Sequence, residues 1–206
     1  MSEEMRRGWD AEAATFDDAA DHGLRDPTAR QAWADLLLPL LPTEPARIVN
    51  LGCGTGSLSV LLAQAGHEVH GVDLSPRMID AARVKATGAG VQIRFDVADA
   101  AQPPVAPGSV DVVLARHVLW AFEDPAATLE RWISLLAPQG RMVLVEGRWS
   151  SGVGIPADEC AALVGGQGRQ ASVRLLPEPT LWGKDIDDER YVLLSLAPDV
   201  LGRRDG

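Results

Sequence analysis

"VNLGCGTGSLSVLLAQAGHEVHGVDLSPRMI", residues 49–79, is the stretch that decides the fold class of this chain. An apolar strand pattern leads into three alternating glycines, a helical pattern follows, and a second strand pattern ends near Asp73. Glycine adopts positive φ easily and lets a ligand approach the backbone, so such a loop between a strand and a helix is typical of nucleotide-type sites. The stretch alone leaves three readings open: a dinucleotide site, a site for another adenosine cofactor, or a turn without a ligand.

The alternation of strand and helix patterns continues on both sides of this stretch. Strand patterns are predicted at 46–51, 67–74, 91–97, 109–115, 140–147, 171–179 and 189–197, with helical patterns between most of them. This order is typical of βαβ units. It predicts an α/β protein, a Rossmann-like three-layer sandwich with a mostly parallel seven-stranded sheet and a C-terminal antiparallel hairpin strand.

Composition limits the partners and the compartment. The 206 residues carry a net charge of −10, which disfavours nucleic acid and anionic membranes as partners. Cys53 and Cys160 lie too far apart for a disulfide framework or a zinc site, and they suit a reducing cytoplasm. No signal peptide or membrane span is recognisable. We expect a cytoplasmic protein without a metal site, as a monomer or homodimer.

The spacing within the glycine loop separates the possible cofactors. Asp73 ends the second strand pattern, where a carboxylate can accept hydrogen bonds from two ribose hydroxyls. The loop reads G-x-G-x-G instead of G-x-G-x-x-G, so it lacks the third glycine placed for close helix packing and for pyrophosphate contact. A cofactor with adenosine but without phosphate therefore suits it better than a dinucleotide.

Several ordered motifs carry a resemblance to a known family. "VNLGCGTG" followed by "GVDLSPRMI" resembles motif I and the acidic loop of class I S-adenosylmethionine-dependent methyltransferases. "VADAAQPPVAPGSVDVVLARHVLWAFEDP" and "LLAPQGRMVLVEG" resemble the family's later strands, so the similarity runs from about Arg47 to Glu146. The resemblance implies S-adenosylmethionine as methyl donor and S-adenosylhomocysteine as product. It also implies a single methyltransferase domain over 1–206, with an N-terminal helical cover (1–43), a cofactor-binding core (44–147) and a substrate-side helix and hairpin (148–206).

The resemblance assigns cofactor roles to matching positions. The loop backbone would pass the methionine and ribose parts, the carboxylate after the second strand would hold the ribose, and the next turns would hold adenine. The implied cofactor residues are Gly52, Cys53, Gly54, Thr55, Gly56, Asp73, Leu74, Met78, Asp99, Ala100 and Arg116. "WDAEAATFD", residues 9–17, resembles the family's N-terminal segment that closes over the cofactor, with Trp9 and Phe16 in place of tyrosines.

Three residues are candidates for a general base. His117 follows the fourth strand pattern, at the sheet edge where open α/β folds bind ligands. His22 lies in the N-terminal cover, and Glu146 ends the fifth strand pattern. Each could accept a proton from an acceptor hydroxyl or acid, whereas an amine acceptor must only be neutral. A packing or surface role is the alternative for each of them.

Tryptophans indicate the kind of acceptor. Trp120, Trp149 and Trp182 follow predicted strands, and Trp9 lies in the N-terminal cover. We predict that these four line a pocket for a small molecule with a flat, apolar or cationic portion; covering the ends of the core is the alternative.

The sequence thus favours an enzyme that methylates an O or N atom of a small metabolite, in secondary metabolism. A non-catalytic S-adenosylmethionine-binding protein and, less well supported, an NAD-type oxidoreductase remain alternatives.

Overall fold

The computed structural model describes residues 3–198. Seven strands in this part of the chain form a mixed sheet flanked by helices. The strands are β1 (Arg47–Leu51), β2 (Glu68–Asp73), β3 (Arg94–Val97), β4 (Val110–Arg116), β5 (Leu136–Arg148), β6 (Gln170–Leu175) and β7 (Glu189–Leu196). The helices are α1 (Glu3–Glu12), α2 (Ala20–Gly23), α3 (Pro27–Leu37), α4 (Ser57–Gln64), α5 (Pro76–Gly88), α6 (Pro125–Leu135), α7 (Ala157–Gly166) and α8 (Pro179–Trp182). The predicted fold class is confirmed.

The chain divides into two compact units. The first holds the described residues up to Pro104 together with Glu178–Ile186, and the second holds Val105–Pro177 and the described residues from Asp187 onward. These bounds differ from the segments 1–43, 44–147 and 148–206 expected from the sequence, and the single domain over 1–206 stays a prediction.

The first unit contains the parallel strands β3, β2 and β1, with α4 joining β1 to β2 and α5 joining β2 to β3. Asp26 caps α3 by accepting hydrogen bonds from the N–H groups of Thr28 and Ala29, as its place before Pro27 predicts. The helix ends at Leu37, and residues 38–40 form a 3₁₀ turn around Pro39. Pro39 ends the helix because it lacks the N–H that a continued α-helix would need.

The second unit contains β4 and β5 in parallel, and β7 lies antiparallel between β5 and β6. This arrangement confirms the predicted C-terminal hairpin. β5 begins at Leu136, directly after α6, although the sequence predicted a strand only from residue 140. The early start is accommodated by a register shift opposite Val110–Val112 of β4.

No helix among the described residues is both long and apolar enough to cross a membrane.

Candidate cofactor and acceptor sites

The glycine loop between β1 and α4 has the backbone that its sequence predicts. Gly52, Gly54 and Gly56 have φ angles of 65°, 53° and 78°. Side chains with a Cβ rarely adopt this left-handed region, so the three glycines fix the path of the loop. The Gly56 N–H donates to the Cys53 carbonyl at 3.0 Å, and the Cys53 N–H donates to the Val72 carbonyl of β2, also at 3.0 Å. The loop is thereby tied to the end of the neighbouring strand.

Gly56 also packs closely against α5. A Cβ at this position would lie 2.8 Å from the Ala82 Cβ and 3.3 Å from the Phe95 ring. Our expectation that the loop lacks a glycine for close helix packing was wrong, because Gly56 takes that role two residues after Gly54. The short G-x-G-x-G spacing thus contains both the turn and the packing contact.

Asp73, at the end of β2, is a buried carboxylate fixed to the loop. Its Oδ2 accepts a hydrogen bond from the Gly54 N–H at 2.8 Å, and its Oδ1 accepts one from the Ser75 N–H at 2.9 Å. Burial raises the pKa of Asp73, and the backbone hydrogen bonds oppose that rise. A carboxylate can accept about four hydrogen bonds in all, so Asp73 keeps acceptor capacity for a hydroxyl donor.

The turns after β2 and β3 are linked. The Ala98 N–H donates to the Asp73 carbonyl at 2.9 Å, and the half-buried Asp99 accepts the Ala101 N–H at 2.8 Å, which orders the turn. Met78 and Ala100 are fully buried, and Leu74 is half-buried. Of the predicted cofactor residues, those from Gly52 to Ala100 therefore lie in the first unit, on the loop, from the end of β2 to the first turn of α5, and on the turn after β3. Arg116 ends β4 in the second unit.

The Phe16 ring of the N-terminal segment covers the loop, and two further rings pack on Phe16. A Cβ at Gly54 would lie 3.1 Å from the Phe16 ring. His22 stacks on Phe16 with 4.2 Å between ring centroids, and Trp9 meets Phe16 edge-on at 6.4 Å. Phe16 thus brings together two predicted site residues, His22 and Trp9. The sequence placed Phe16 in this segment but did not predict that it contacts both residues.

In the second unit, the turn after β4 holds His117 in an unusual conformation. Its φ of 58° is in the left-handed region, which a non-glycine residue seldom occupies. The His117 N–H donates to the Val145 carbonyl at 2.8 Å, and the Trp120 indole N–H donates to the His117 carbonyl at 2.9 Å. The ring of Trp149 lies 5.0 Å from that of His117 and 5.9 Å from that of Trp120, both edge-on. Three predicted site residues are therefore in one cluster.

Glu146 supports this turn from β5. Its fully buried Oε1 accepts the N–H groups of Val118 and Leu119 at 2.9 and 2.8 Å, and its Oε2 has no partner among the described residues. Burial raises the pKa of Glu146 to about 7, against the effect of the two backbone hydrogen bonds. These contacts are those of a buried residue that holds the turn. A general base must instead reach a proton of the acceptor.

Arg190 was not identified from the sequence. Its guanidinium carbon lies 4.7 Å above the Trp149 ring, and its Nη2 pairs with Asp188 at 2.6 Å. Asp188 in turn accepts the Ser150 N–H at 2.6 Å. The acidic run 185–190 is solvated only in part, since the side chains of Asp188 and Arg190 are 13% and 8% exposed. Asp188 and Arg190 thus hold Trp149 and the residue after it in place, although they lie far from it in the sequence.

Trp182 has the surroundings of a core residue. It lies in α8 of the first unit, is 4% exposed, and meets Trp33 edge-on at 5.5 Å. The Trp33 indole N–H donates to the Leu181 carbonyl at 2.8 Å, which fixes the pair. These contacts favour the packing alternative for Trp182 over a place in an acceptor pocket.

Within residues 3–198, no cluster of three or more His, Cys, Asp or Glu side chains has the arrangement of a metal site.

Comparison with known proteins agrees with this geometry. Residues 49–144 match a family described as a methyltransferase domain. A ubiquinone biosynthesis O-methyltransferase of Xanthomonas euvesicatoria is 34% identical over 145 residues, which is 68% of this chain and 56% of that protein. A demethylmenaquinone methyltransferase of Thermus thermophilus is 38% identical over 108 residues, 52% of this chain and 49% of that protein. The chain thus matches about half the length of these relatives.

A solved structure has the same fold. The magnesium protoporphyrin IX methyltransferase of Synechocystis PCC 6803, with bound S-adenosylmethionine, superposes with a TM-score of 0.66 and 24% identity over 82% of this chain and 77% of that one. The matched domain and the ordered motifs thus show a methyltransferase domain in this chain, and its fold is that of class I S-adenosylmethionine-dependent methyltransferases.

Proposed function

We propose that this protein transfers a methyl group from S-adenosylmethionine to an O or N atom of a small metabolite by in-line displacement. The observation that carries the proposal is the glycine loop with its buried carboxylate, in which Asp73 accepts the Gly54 N–H at 2.8 Å. When bound, S-adenosylmethionine supplies a methyl group on a positively charged sulfur, and S-adenosylhomocysteine is the product.

The residues of the first unit fit this cofactor. Gly52 and Gly54 offer backbone that a ligand can approach closely, and Asp73 offers oxygens for the ribose hydroxyls. Asp99, half-buried in its ordered turn, would accept from the adenine amino group, and Met78 would pack beside the ring.

The residues of the second unit suit a flat acceptor. The ring of Trp149 meets the rings of His117 and Trp120 edge-on, and Arg190 lies on the Trp149 face. The names of two relatives refer to ubiquinone and demethylmenaquinone, which are molecules of quinone type. This favours an acceptor with a flat ring and an oxygen substituent for this protein as well. Our placement of the protein in secondary metabolism stays a prediction. The two cysteines are free and buried, which supports a cytoplasmic location.

The protein's main contribution to the reaction is to hold the methyl donor and the acceptor in position. Holding two reactants in line can lower a barrier by about 7–11 kcal/mol. The hydrogen bonds of the turn fix His117 beside Trp149, where its imidazole could accept the proton of an acceptor hydroxyl. His22, stacked on Phe16, is the second candidate.

Calorimetric titration with S-adenosylhomocysteine and, separately, NAD tests the cofactor. We expect binding of S-adenosylhomocysteine only, and about 100-fold weaker binding by Asp73→Asn, since a charged hydrogen-bond acceptor is lost. Asp80→Asn, at an exposed position of α5, is the matched control and should bind like the wild type. Binding of NAD alone would refute the proposal in favour of an oxidoreductase.

Turnover is tested by mass spectrometry of a panel of hydroxylated aromatic acceptors with S-adenosylmethionine, where each methylation adds 14 Da. We expect methylation of ring hydroxyls and its loss in His117→Ala. Tight S-adenosylmethionine binding without turnover across acceptors of oxygen, nitrogen, carbon and sulfur type would instead indicate a non-catalytic binding protein.

A further inference from the structure

The N-terminal segment, residues 3–23, is fastened to the first unit by two of its carboxylates. Asp10 and Asp17 are seven positions apart, each directly after an aromatic residue, Trp9 and Phe16. The ring of Phe16 lies over Gly54 of the glycine loop. The contacts of Asp10 and Asp17 therefore determine where the Phe16 ring lies.

Asp17 is held at the start of α4. Lys85 of α5 places its Nζ 2.8 Å from Asp17 Oδ2 and donates to the Thr55 hydroxyl at 2.9 Å and to the Ser57 hydroxyl. The Thr55 hydroxyl also donates to Asp17. The side chains of Asp17 and Lys85 are only 15% and 22% exposed. Such a half-buried, shared network is stronger than an ordinary surface pair.

Asp10 is held at the start of α5. Its Oδ1 accepts the Ser75 hydroxyl at 2.6 Å and the Arg77 N–H at 3.3 Å, and its Oδ2 pairs with Arg6 at 3.0 Å. Ser75 is also the cap of α5, accepting the Met78 N–H. A carboxylate at a helix N-terminus is stabilised there by the helix dipole and by donors without partners in the helix. The hydrogen bond from Ser75 contributes most to a lowered pKa of Asp10.

We propose that Asp10 and Asp17 are the two latches of a gate formed by residues 3–23, and that these latches set the rate at which ligands enter and leave the glycine loop. Opening the Asp17 latch frees Phe16, whose ring lies over the loop, and opening the Asp10 latch frees Trp9, which packs edge-on against Phe16. A gate of this kind changes association and dissociation together, because the ligand crosses the same barrier in both directions. The affinity itself is then nearly unchanged.

The first experiment uses the ligand-free protein and is independent of the proposed function. Hydrogen–deuterium exchange is followed in peptides from residues 3–25 and 52–58. Asp17→Asn should raise exchange in both regions by about tenfold, the factor equivalent to about 1.4 kcal/mol. Asp18→Asn is the matched control, because Asp18 is its neighbour but has a 68% exposed side chain, which pairs with the exposed Arg25. Unchanged exchange in Asp17→Asn, or an equal rise in Asp18→Asn, would overturn the proposal.

Combined variants test the geometry of the latches. Lys85→Met should have the same effect as Asp17→Asn, and the double variant should be no more open than either, since both remove one interaction. Asp10→Asn combined with Asp17→Asn should open the segment further than either alone, because the two latches lie on different helices. Thermal unfolding identifies any variant that fails to fold; the other member of the Asp17–Lys85 pair then carries the test. Additivity of Asp17→Asn with Lys85→Met would contradict a shared latch.

The second experiment rests on the proposed function. Stopped-flow binding of S-adenosylhomocysteine to Asp17→Asn should show both rate constants about tenfold higher and a Kd within about twofold of the wild type. A changed Kd with an unchanged dissociation rate would mean that Asp17 contributes otherwise than as a latch. If S-adenosylhomocysteine does not bind the wild type, the proposed function fails, while the exchange experiment still decides about the latches.

Discussion

The glycine loop of the first unit and the turn after β4 in the second both place left-handed backbone at the end of a strand, but by different means. The loop uses glycines, with φ from 53° to 78°, which adopt this region at little steric cost. The turn uses His117 at 58°, where a non-glycine residue is strained by about 1–2 kcal/mol. Glu146 and β5 hold that turn through hydrogen bonds. A conformation built into residue type leaves a signature in sequence, whereas one imposed by distant contacts does not.

The largest difference between the units should appear in their tryptophans. Trp182→Ala should lower the free energy of unfolding by about 3–5 kcal/mol, because it empties a buried site against Trp33. Trp149→Ala, at a half-buried position, should cost less and should raise KM for the acceptor. Urea unfolding and steady-state kinetics measure the two effects. A raised KM in Trp182→Ala, with Trp149→Ala unchanged, would reverse the assignment.

The same contrast explains which residues of each unit the sequence predicts. The loop glycines and the helix caps act through neighbouring residues, and Asp73 occupies a recurring place at a strand end, so local patterns found them and the fold. The role of Gly56 against Ala82 was missed, because that contact joins residues 26 positions apart. Arg190 was missed because its contact with Trp149 depends on the pairing of β5 with β7. Contacts of this kind depend on tertiary packing, which no local pattern contains.

The buried carboxylate of the second unit predicts a pH dependence of stability. The pKa of Glu146 is raised by burial to about 7 in the folded protein, above its usual value of 4.5. Between these two values the folded state binds a proton that the unfolded state has lost, so stability falls as pH rises through this window, by about 3 kcal/mol. Burial also raises the pKa values of the nearby Cys160 and Tyr191, which stay neutral throughout it.

Glu146→Gln isolates this effect. The amide oxygen can still accept the N–H groups of Val118 and Leu119, but it does not titrate. Urea unfolding at pH 5 and pH 8 should show a smaller decline for the variant than for the wild type. Equal declines in both proteins would place the titrating group elsewhere, and Glu146→Leu, without an acceptor, should destabilise the turn at both pH values.

In the first unit, the packing of the loop glycine can be separated from its backbone strain. Gly56→Ala combines positive φ with a Cβ 2.8 Å from that of Ala82, whereas Gly66→Ala has a φ of 95° and nothing within 4 Å of its Cβ. Both variants share the strain, so the difference between them measures the contact. We expect Gly56→Ala to be about 2 kcal/mol less stable than Gly66→Ala by chemical denaturation. Equal losses would show that α5 moves aside without cost.

The smallest expected effect is the strain at His117 itself, and it separates conformation from chemistry. His117→Gly removes the Cβ that makes a φ of 58° unfavourable, while His117→Ala keeps it, and both remove the imidazole. His117→Gly should therefore be more stable than His117→Ala by up to about 1 kcal/mol, a margin reduced by the flexibility of glycine in the unfolded chain. If the imidazole takes the acceptor's proton, both variants should lose turnover equally although their stabilities differ. Activity retained in His117→Gly but lost in His117→Ala would mean that the turn needs the residue only for its backbone, as the loop needs its glycines.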